Sequence, residues 1–310
     1  MEIISAILPP IVLLFIGGLC RKGGWLKVEA DASLSILTIR VLYPCFFFYH
    51  LVGNHDTLLP EQFLIVVFAG FICICAGFAC ALTVAKFMKI KTGSVASFSF
   101  CSGIFNYGFF AFPIAASIFG EKLIAKIILF NLGVEVAIWT VGVWLLASTK
   151  FKPIRLINPP IISIILALFV KETGGQEIIP IFLWEIISSL GNCAIPIGLL
   201  LIGGNFADLV KGFKLSEGKR VEISSIIVRL VIMPFLMFCY ACYGVIPNGM
   251  EWLQDILIVQ TAMPSGIFAI VIVRSYSGDT VTAMRTILAS TILCILSTPI
   301  WLYLGMNFAR

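Results

Sequence analysis

Apolar positions run along this chain in long blocks, and its polar residues gather in the short intervals between them. Windows of membrane-spanning length, each ending in charge or turn residues, predict ten spans. They lie at about 3–20, 32–52, 62–87, 94–119, 123–148, 159–173, 180–205, 220–244, 253–275 and 283–307. Two of the blocks are interrupted from within. Span 9 contains "IVQTAMPSGIFAIVIV", with Gln260, Thr261, Pro264, Ser265 and Gly266 at its centre. Span 4 reads "CSGIFNYGFFAFPIAASIFG", with Ser102, Gly103, Asn106, Gly108 and Pro113. In hydrocarbon an unsatisfied backbone amide or carbonyl is costly, so irregular backbone at that depth persists only where protein or a water-filled cavity satisfies it. Both stretches therefore point to a binding site.

Composition agrees with the pattern. The 310 residues are 60% hydrophobic and 12% charged, with a mean hydropathy of +1.07, which excludes a soluble globule and gives an all-α polytopic membrane protein. Charge then sets the orientation. The loops after odd-numbered spans carry Arg21, Lys22 and Lys27; Lys86, Lys89 and Lys91; Lys150, Lys152 and Arg155; Lys211, Lys214, Lys219 and Arg220; and Arg274 and Arg285. The opposite side carries only Lys122, Lys126, Lys171 and Arg310. Lys and Arg near span ends favour the cytoplasmic side, so both termini are expected outside. The net charge of +5 is then a topological bias rather than a basic patch for nucleic acid.

Other chemistries find little support. The first span lacks a basic leader and an A-x-A-like site and carries Pro9 and Pro10, so it reads as a mature helix rather than a signal peptide. Most of the ten Cys fall within spans, where a thiol acts as a small apolar residue, and Cys239 and Cys242 form a lone CxxC. With only His50 and His55, no metal centre or cofactor is expected. No Ser/His, paired-Asp or metal-ligand constellation suggests an enzyme.

The chain also repeats itself. "ILPPIVLL" at Ile7 recurs as "INPPIISI" at Ile157, Pro44 as Pro196 and Pro113 as Pro264, at offsets of 150, 152 and 151 residues. "RKGG" at Arg21 likewise faces "KETGG" at Lys171. A unit holding five spans, an odd number, places its two copies in opposite membrane orientations. The expected domains are a first repeat at 1–150, a short cytoplasmic linker at 151–158 and a second repeat at 159–310. Inverted-repeat transporters hold substrate near the bilayer midplane, where broken helices of the two halves meet. Here the pair is spans 4 and 9, broken at Pro113 and Pro264, because proline lacks an amide donor and clashes with the preceding turn. Two new half-helix N-termini meeting at a crossing favour an anion, particularly a carboxylate.

"VQTAMPSGIFAIVIV" followed by "RSY", Asn106 ahead of Gly108 and Pro113 in span 4, and "RLINPPIISIILALF" opening the second half resemble the auxin efflux carrier family, over essentially the whole chain. The resemblance implies the ten-helix fold shared with bile-acid symporters and sodium/proton antiporters, with spans 4 and 9 crossing at their prolines. It implies a small organic carboxylate as partner, such as an auxin-like acid, malate or malonate, with Asn106 touching it, and it suggests a homodimer. The plant exporters carry a long hydrophilic loop after span 5; here only "TKFKPIRLIN" joins the halves, as in the short bacterial members. The expected place is a bacterial inner membrane.

Asn106 and Gln260 are the main substrate-binding candidates, with Asn192, Ser102 and Ser265 beside them. Phe105, Tyr107, Phe109 and Phe268 are candidate walls. Arg40, Glu135 and Arg229 lie deep in spans 2, 5 and 8, where an unpaired charge costs about 3 kcal/mol on insertion scales. A pair of Glu135 with Arg40 or Arg229 is the expected arrangement; a proton carried by Glu135, or an Arg that attracts the anion, is the alternative. Neither break motif, "VQTAMPSG" nor "SGIFNYGFFAFP", holds Asp or Glu, which disfavours sodium coupling and a cation/proton antiporter of the same fold. A receptor that binds an anion without moving it is the reading from a different class.

Overall fold

The computed structural model describes residues 2–54, 59–147, 158–211 and 219–309. The expected linker, apart from Asn158, lies outside them, as do Lys150, Lys152, Arg155 and Lys214. Among the described residues the chain is built of helices: α1 (Glu2–Lys22), α2 (Ala30–Val52), α3 (Pro60–Phe87), α4 (Thr92–Gly103), α5 (Ala111–Phe119), α6 (Lys122–Leu146), α7 (Pro159–Glu172), α8 (Ile181–Lys211), α9 (Lys219–Tyr243), α10 (Trp252–Thr261), α11 (Ala269–Ser275) and α12 (Thr280–Phe308). Seven of these, α1, α2, α3, α6, α8, α9 and α12, are long and apolar enough to cross a membrane. The other expected spans appear as the 14-residue α7 and the interrupted pairs α4/α5 and α10/α11. The protein is a multi-pass, all-helical membrane protein.

Local sequence explains the irregular turns. A π-helical turn occupies Thr38–Leu42 in α2 and another Ile227–Ile232 in α9, each with a proline at the second position after it, Pro44 or Pro234. Proline has no N–H for the carbonyl four residues back, which in α9 is Leu230; the Trp301 indole fills that vacancy at 2.8 Å. In α6 the π turn spans Ile138–Gly142, where the Thr140 hydroxyl donates to the Val136 carbonyl at 2.6 Å. At α7, Asn158 caps the helix by accepting from Ile161 N at 3.0 Å, and Pro159 and Pro160 fill the first turn, whose amides have no helical partner.

The helices sort into two bundles. One packs α1 on α8 and α2 on α7 and α8; the other joins α3 with α4 and α6, α9 with α10 and α12, and α12 with α4. Each is welded by glycines at a backbone-to-backbone crossing. A Cβ on Gly17 would overlap the Leu200 carbonyl, and one on Gly203 that of Leu14, so α1 and α8 touch main chain to main chain. Gly70 and Gly133 do the same for α3 and α6, against the carbonyls of Phe130 and Val67. Without a hydrophobic driving force between helices in lipid, such close approach supplies the packing. The bundles meet more loosely, and the site lies between them.

Candidate functional site at the helix breaks

The interruptions at Ile104–Phe110 and Ala262–Phe268 face one another. Asn106 N donates to Pro264 O at 2.8 Å and Gly266 N to Ile104 O at 2.9 Å, so the segments form one antiparallel bridge. Other freed groups are also satisfied. Thr298 Oγ1 donates to Ala262 O at 2.9 Å, Ser265 N donates to Ser290 Oγ at 3.2 Å, and Asn131 Nδ2 donates to Tyr107 O at 2.9 Å. The breaks are thus hydrogen-bonded structure rather than loose coil, as buried backbone requires. Pro264 lies inside its break, whereas Pro113 sits in the first turn of α5, where its missing N–H costs nothing.

A cavity of about 930 Å³ runs from this crossing to one end of the molecule, between the two bundles. At its inner end stand Phe105, Asn106, Tyr107, Phe109, Asn131 and Glu135, with Gly266 and Phe268 from the second break. At its mouth stand Asp31, Asn158, Asn205, Asp208, Arg274 and Thr280, which belong to the helix ends joined by the basic loops. The aromatic rings of Tyr43, Phe46 and Phe47 from α2 pack on Phe109 and Phe112, with centroids 5.1–6.2 Å apart, and Tyr43, Phe47, Phe109 and Phe112 also line the cavity. Phe109 also lies against Gly198 of α8, where any Cβ would strike its ring.

Asn106 is 4% exposed and its Nδ2 has no protein partner. The residue lines the cavity, and this amide nitrogen is itself enclosed by protein. Gln260, fully buried, is not in that wall: its Nε2 donates to Asn131 Oδ1 at 3.0 Å, so it stands behind Asn131. Ser102 and Ser265 are fully buried near the crossing, with unpartnered hydroxyls, but do not line the cavity. Asn192 is placed elsewhere, exposed on α8 and 3.4 Å from Ser188 Oγ. The four aromatic candidates, Phe105, Tyr107, Phe109 and Phe268, all line the cavity.

The expected charge pair does not form. Glu135 Oε1 accepts from the Tyr107 hydroxyl at 2.5 Å and Oε2 from Trp139 Nε1 at 2.9 Å, so neutral donors take the place of an arginine. Arg229 is 0% exposed, with its guanidinium carbon 5.2 Å from the Phe105 ring centroid and NH2 3.4 Å from Thr261 O. It stands behind the crossing, and its Nε and NH1 are unpartnered. Arg40 points outward from the π turn of α2, away from both. The physical reason is that α6 turns Glu135 to the cavity, while α9 turns Arg229 into the second bundle.

Sequence reasoning missed Asn131, Tyr107 as a hydrogen-bonding group, and the cluster at the mouth. Asn131 is an unremarked polar residue in an apolar helix, and a polar residue at that depth was itself a signal. At the mouth Arg21 binds Asp31 at 2.6 Å and Asp208 at 3.0 Å, and reaches Asn205 at 3.4 Å, tying α1, α2 and α8 together. Among the described residues no group of three or more His, Cys, Asp or Glu is placed to hold a metal.

Known proteins place this architecture. A family model described as "Membrane transport protein" matches residues 2–153 and 145–302. An uncharacterized transporter of Methanocaldococcus jannaschii is 23% identical over 311 aligned residues, 98% of this chain and 99% of its own length. One of Methanothermobacter thermautotrophicus is 23% identical over 306, covering 96% of each. An interrupted pair of helices bridged at the head of a cavity is thus carried by a chain that belongs to the membrane transport protein family of the auxin efflux carriers.

Proposed function

We propose that this transporter carries a small organic anion, held by its carboxylate at the meeting of the two helix breaks. The observation that carries the reading is Asn106, a residue of the cavity wall at the bridge whose side-chain N–H is enclosed and unpartnered. A buried donor left unsatisfied costs about 1–3 kcal/mol, which a ligand acceptor returns. Helix α5 begins at Ala111, five residues on, and its first turn adds amides and a partial positive end. Arg229, behind the Phe105 ring, biases the crossing toward negative charge. The cavity volume suits a ligand of drug-like size or smaller.

The mechanism follows from the two bundles. Ten membrane crossings, with α4/α5 and α10/α11 each counted as one, form two inverted five-helix repeats with both termini outside. The mouth then opens to the cytoplasm, and the aromatic cluster around Tyr43 and Phe109 closes the outer side. Each bundle is locked internally by glycine crossings, so movement of one against the other exchanges which side is sealed. Auxin-like acids, malate and malonate are the candidate substrates. The wall is mostly apolar, with Arg274 at the mouth as its cation, which favours a carboxylate with an apolar body over a dicarboxylate.

The test is counterflow: proteoliposomes of the purified protein, preloaded with unlabelled indole-3-acetate, malate or malonate, are challenged with the labelled compound. Transient accumulation of at least one carboxylate, saturable and absent from empty liposomes, is the expected result. Binding without any counterflow would instead favour a receptor.

A further inference from the structure

We propose that Glu135 is a proton-binding site that is loaded together with the anion, so that each carboxylate crosses with a proton. The proposal rests on the anion-carrier reading above and adds the coupling to it. Glu135 is half-buried in the wall of the cavity, and its two oxygens are held by the Tyr107 hydroxyl and the Trp139 indole rather than by a cation. Tyr107 follows Asn106 directly, and its carbonyl accepts from Asn131. The carboxylate is therefore one side chain removed from the donor assigned to the substrate.

Its surroundings leave it alone in that role. Helix α5 carries no ionisable side chain and α4 only Cys101. Helix α3 carries Cys73, Cys75 and Cys80 between its terminal Glu61 and Lys86. Helix α10 carries Asp255, and α6 itself has Lys122 and Lys126 in its first turns, far from the π segment. From α2 come Tyr43, Cys45, Tyr49 and His50, with Arg40 turned outward. Asp31, Asp208 and Arg274 stand at the mouth, the two aspartates tied to Arg21.

An ionised Glu135 and a bound carboxylate in one low-dielectric cavity repel each other, as paired carboxylates do. Proton uptake from water onto a Glu135 oxygen removes that repulsion, so proton and anion bind cooperatively, each raising the affinity for the other by the same factor. Alternation then carries a neutral pair for a monoanion, and the proton leaves to water on the other side. Tyr107 and Trp139 are positioning residues that hold the carboxylate toward the cavity.

The experiment has two arms. Without any substrate, infrared difference spectra of the wild-type protein in lipid, between an acidic and an alkaline buffer, are expected to show a protonated-carboxyl C=O band. Glu135→Gln should lose it, and Tyr107→Phe should displace its pH midpoint. A wild type without the band, or a band kept in Glu135→Gln, overturns the proposal. The second arm follows internal pH with pyranine during uptake of indole-3-acetate and malonate into proteoliposomes. One proton is expected to enter with each anion, and Glu135→Gln should move anion as net current with no proton. Anion flux in the wild type without proton movement overturns the coupling and leaves the carrier reading standing. No flux of any probe overturns the carrier reading and the coupling with it.

Discussion

The backbone N–H of Asn106 donates to the carbonyl oxygen of Pro264 at 2.8 Å, and the return bond from Gly266 to Ile104 measures 2.9 Å. Both helix breaks belong to the same bundle, so the bridge makes them one rigid piece. The two breaks are thereby fixed to each other, while the walls supplied by α2, α7 and α8 belong to the other bundle.

Gln260 acts through Asn131. Gln260→Ala should leave Asn131 Oδ1 unsatisfied in the second bundle, at a cost of about 1–3 kcal/mol. The expected outcome is a lower unfolding temperature in detergent with carboxylate affinity reduced only modestly. A variant that melts like the wild type yet loses binding completely would place Gln260 on the substrate instead.

Arg229 tests the electrostatic bias behind the crossing. Arg229→Lys keeps the charge and loses the planar face on Phe105, a cation–π contact worth up to about 2 kcal/mol when desolvated. We expect roughly tenfold weaker uptake from Arg229→Lys and none from Arg229→Leu, measured as initial rates at equal reconstituted protein. Full activity in Arg229→Leu would make the arginine a purely structural tie to Thr261.

The bundle welds are open to direct test. Gly133→Ala drives a Cβ into the Val67 carbonyl of α3, whereas Gly93→Ala meets nothing within 4 Å. Overpacking at the first site should cost about 1–3 kcal/mol or more, seen as a fall in melting temperature. Gly93→Ala should be neutral or slightly stabilising, because alanine restricts the unfolded chain.

Asp279, just outside α12, caps that helix and joins it to α4. Its carboxylate accepts from Thr282 N at 3.0 Å, Thr282 Oγ1 at 2.7 Å and Ser94 Oγ at 2.7 Å. Burial works to raise its pKa, but these hydrogen bonds outweigh it and hold the carboxyl below the usual aspartate value. A pKa depressed by folding gives stability that is present above the unfolded value of about 3.9 and lost as pH falls through the folded one. Asp279→Asn should therefore flatten the acid limb of a melting-temperature profile, and an unchanged limb would assign it to another group.

The legible part of this protein is the part encoded by local rules. Long apolar blocks located the helices, and the prolines and polar residues of spans 4 and 9 located the interruptions, because irregular backbone at membrane depth needs partners wherever it occurs. The same rule pointed to Asn106, which lies at one interruption and lines the cavity. Tertiary packing decided the rest. The helical phase of α6 turns Glu135 toward Tyr107 and the cavity, and that of α9 turns Arg229 behind Phe105, so two deep charges of opposite sign do not pair. Asn192 and Gln260 show the same limit: one faces outward and the other supports Asn131, distinctions that spacing does not contain. The cluster of Arg21, Asp31 and Asp208 joins residues nearly two hundred positions apart.

The central claim is that the Asn106 amide binds the carboxylate at the bridge. Its most direct test is equilibrium binding of the labelled carboxylate that shows counterflow, compared between wild type and Asn106→Ala at matched melting temperature. Loss of a charge-assisted hydrogen bond of about 1.5–3 kcal/mol corresponds to a Kd raised at least tenfold, with counterflow abolished. An unchanged Kd and normal counterflow in a well-folded Asn106→Ala would contradict the account and move the substrate away from the crossing.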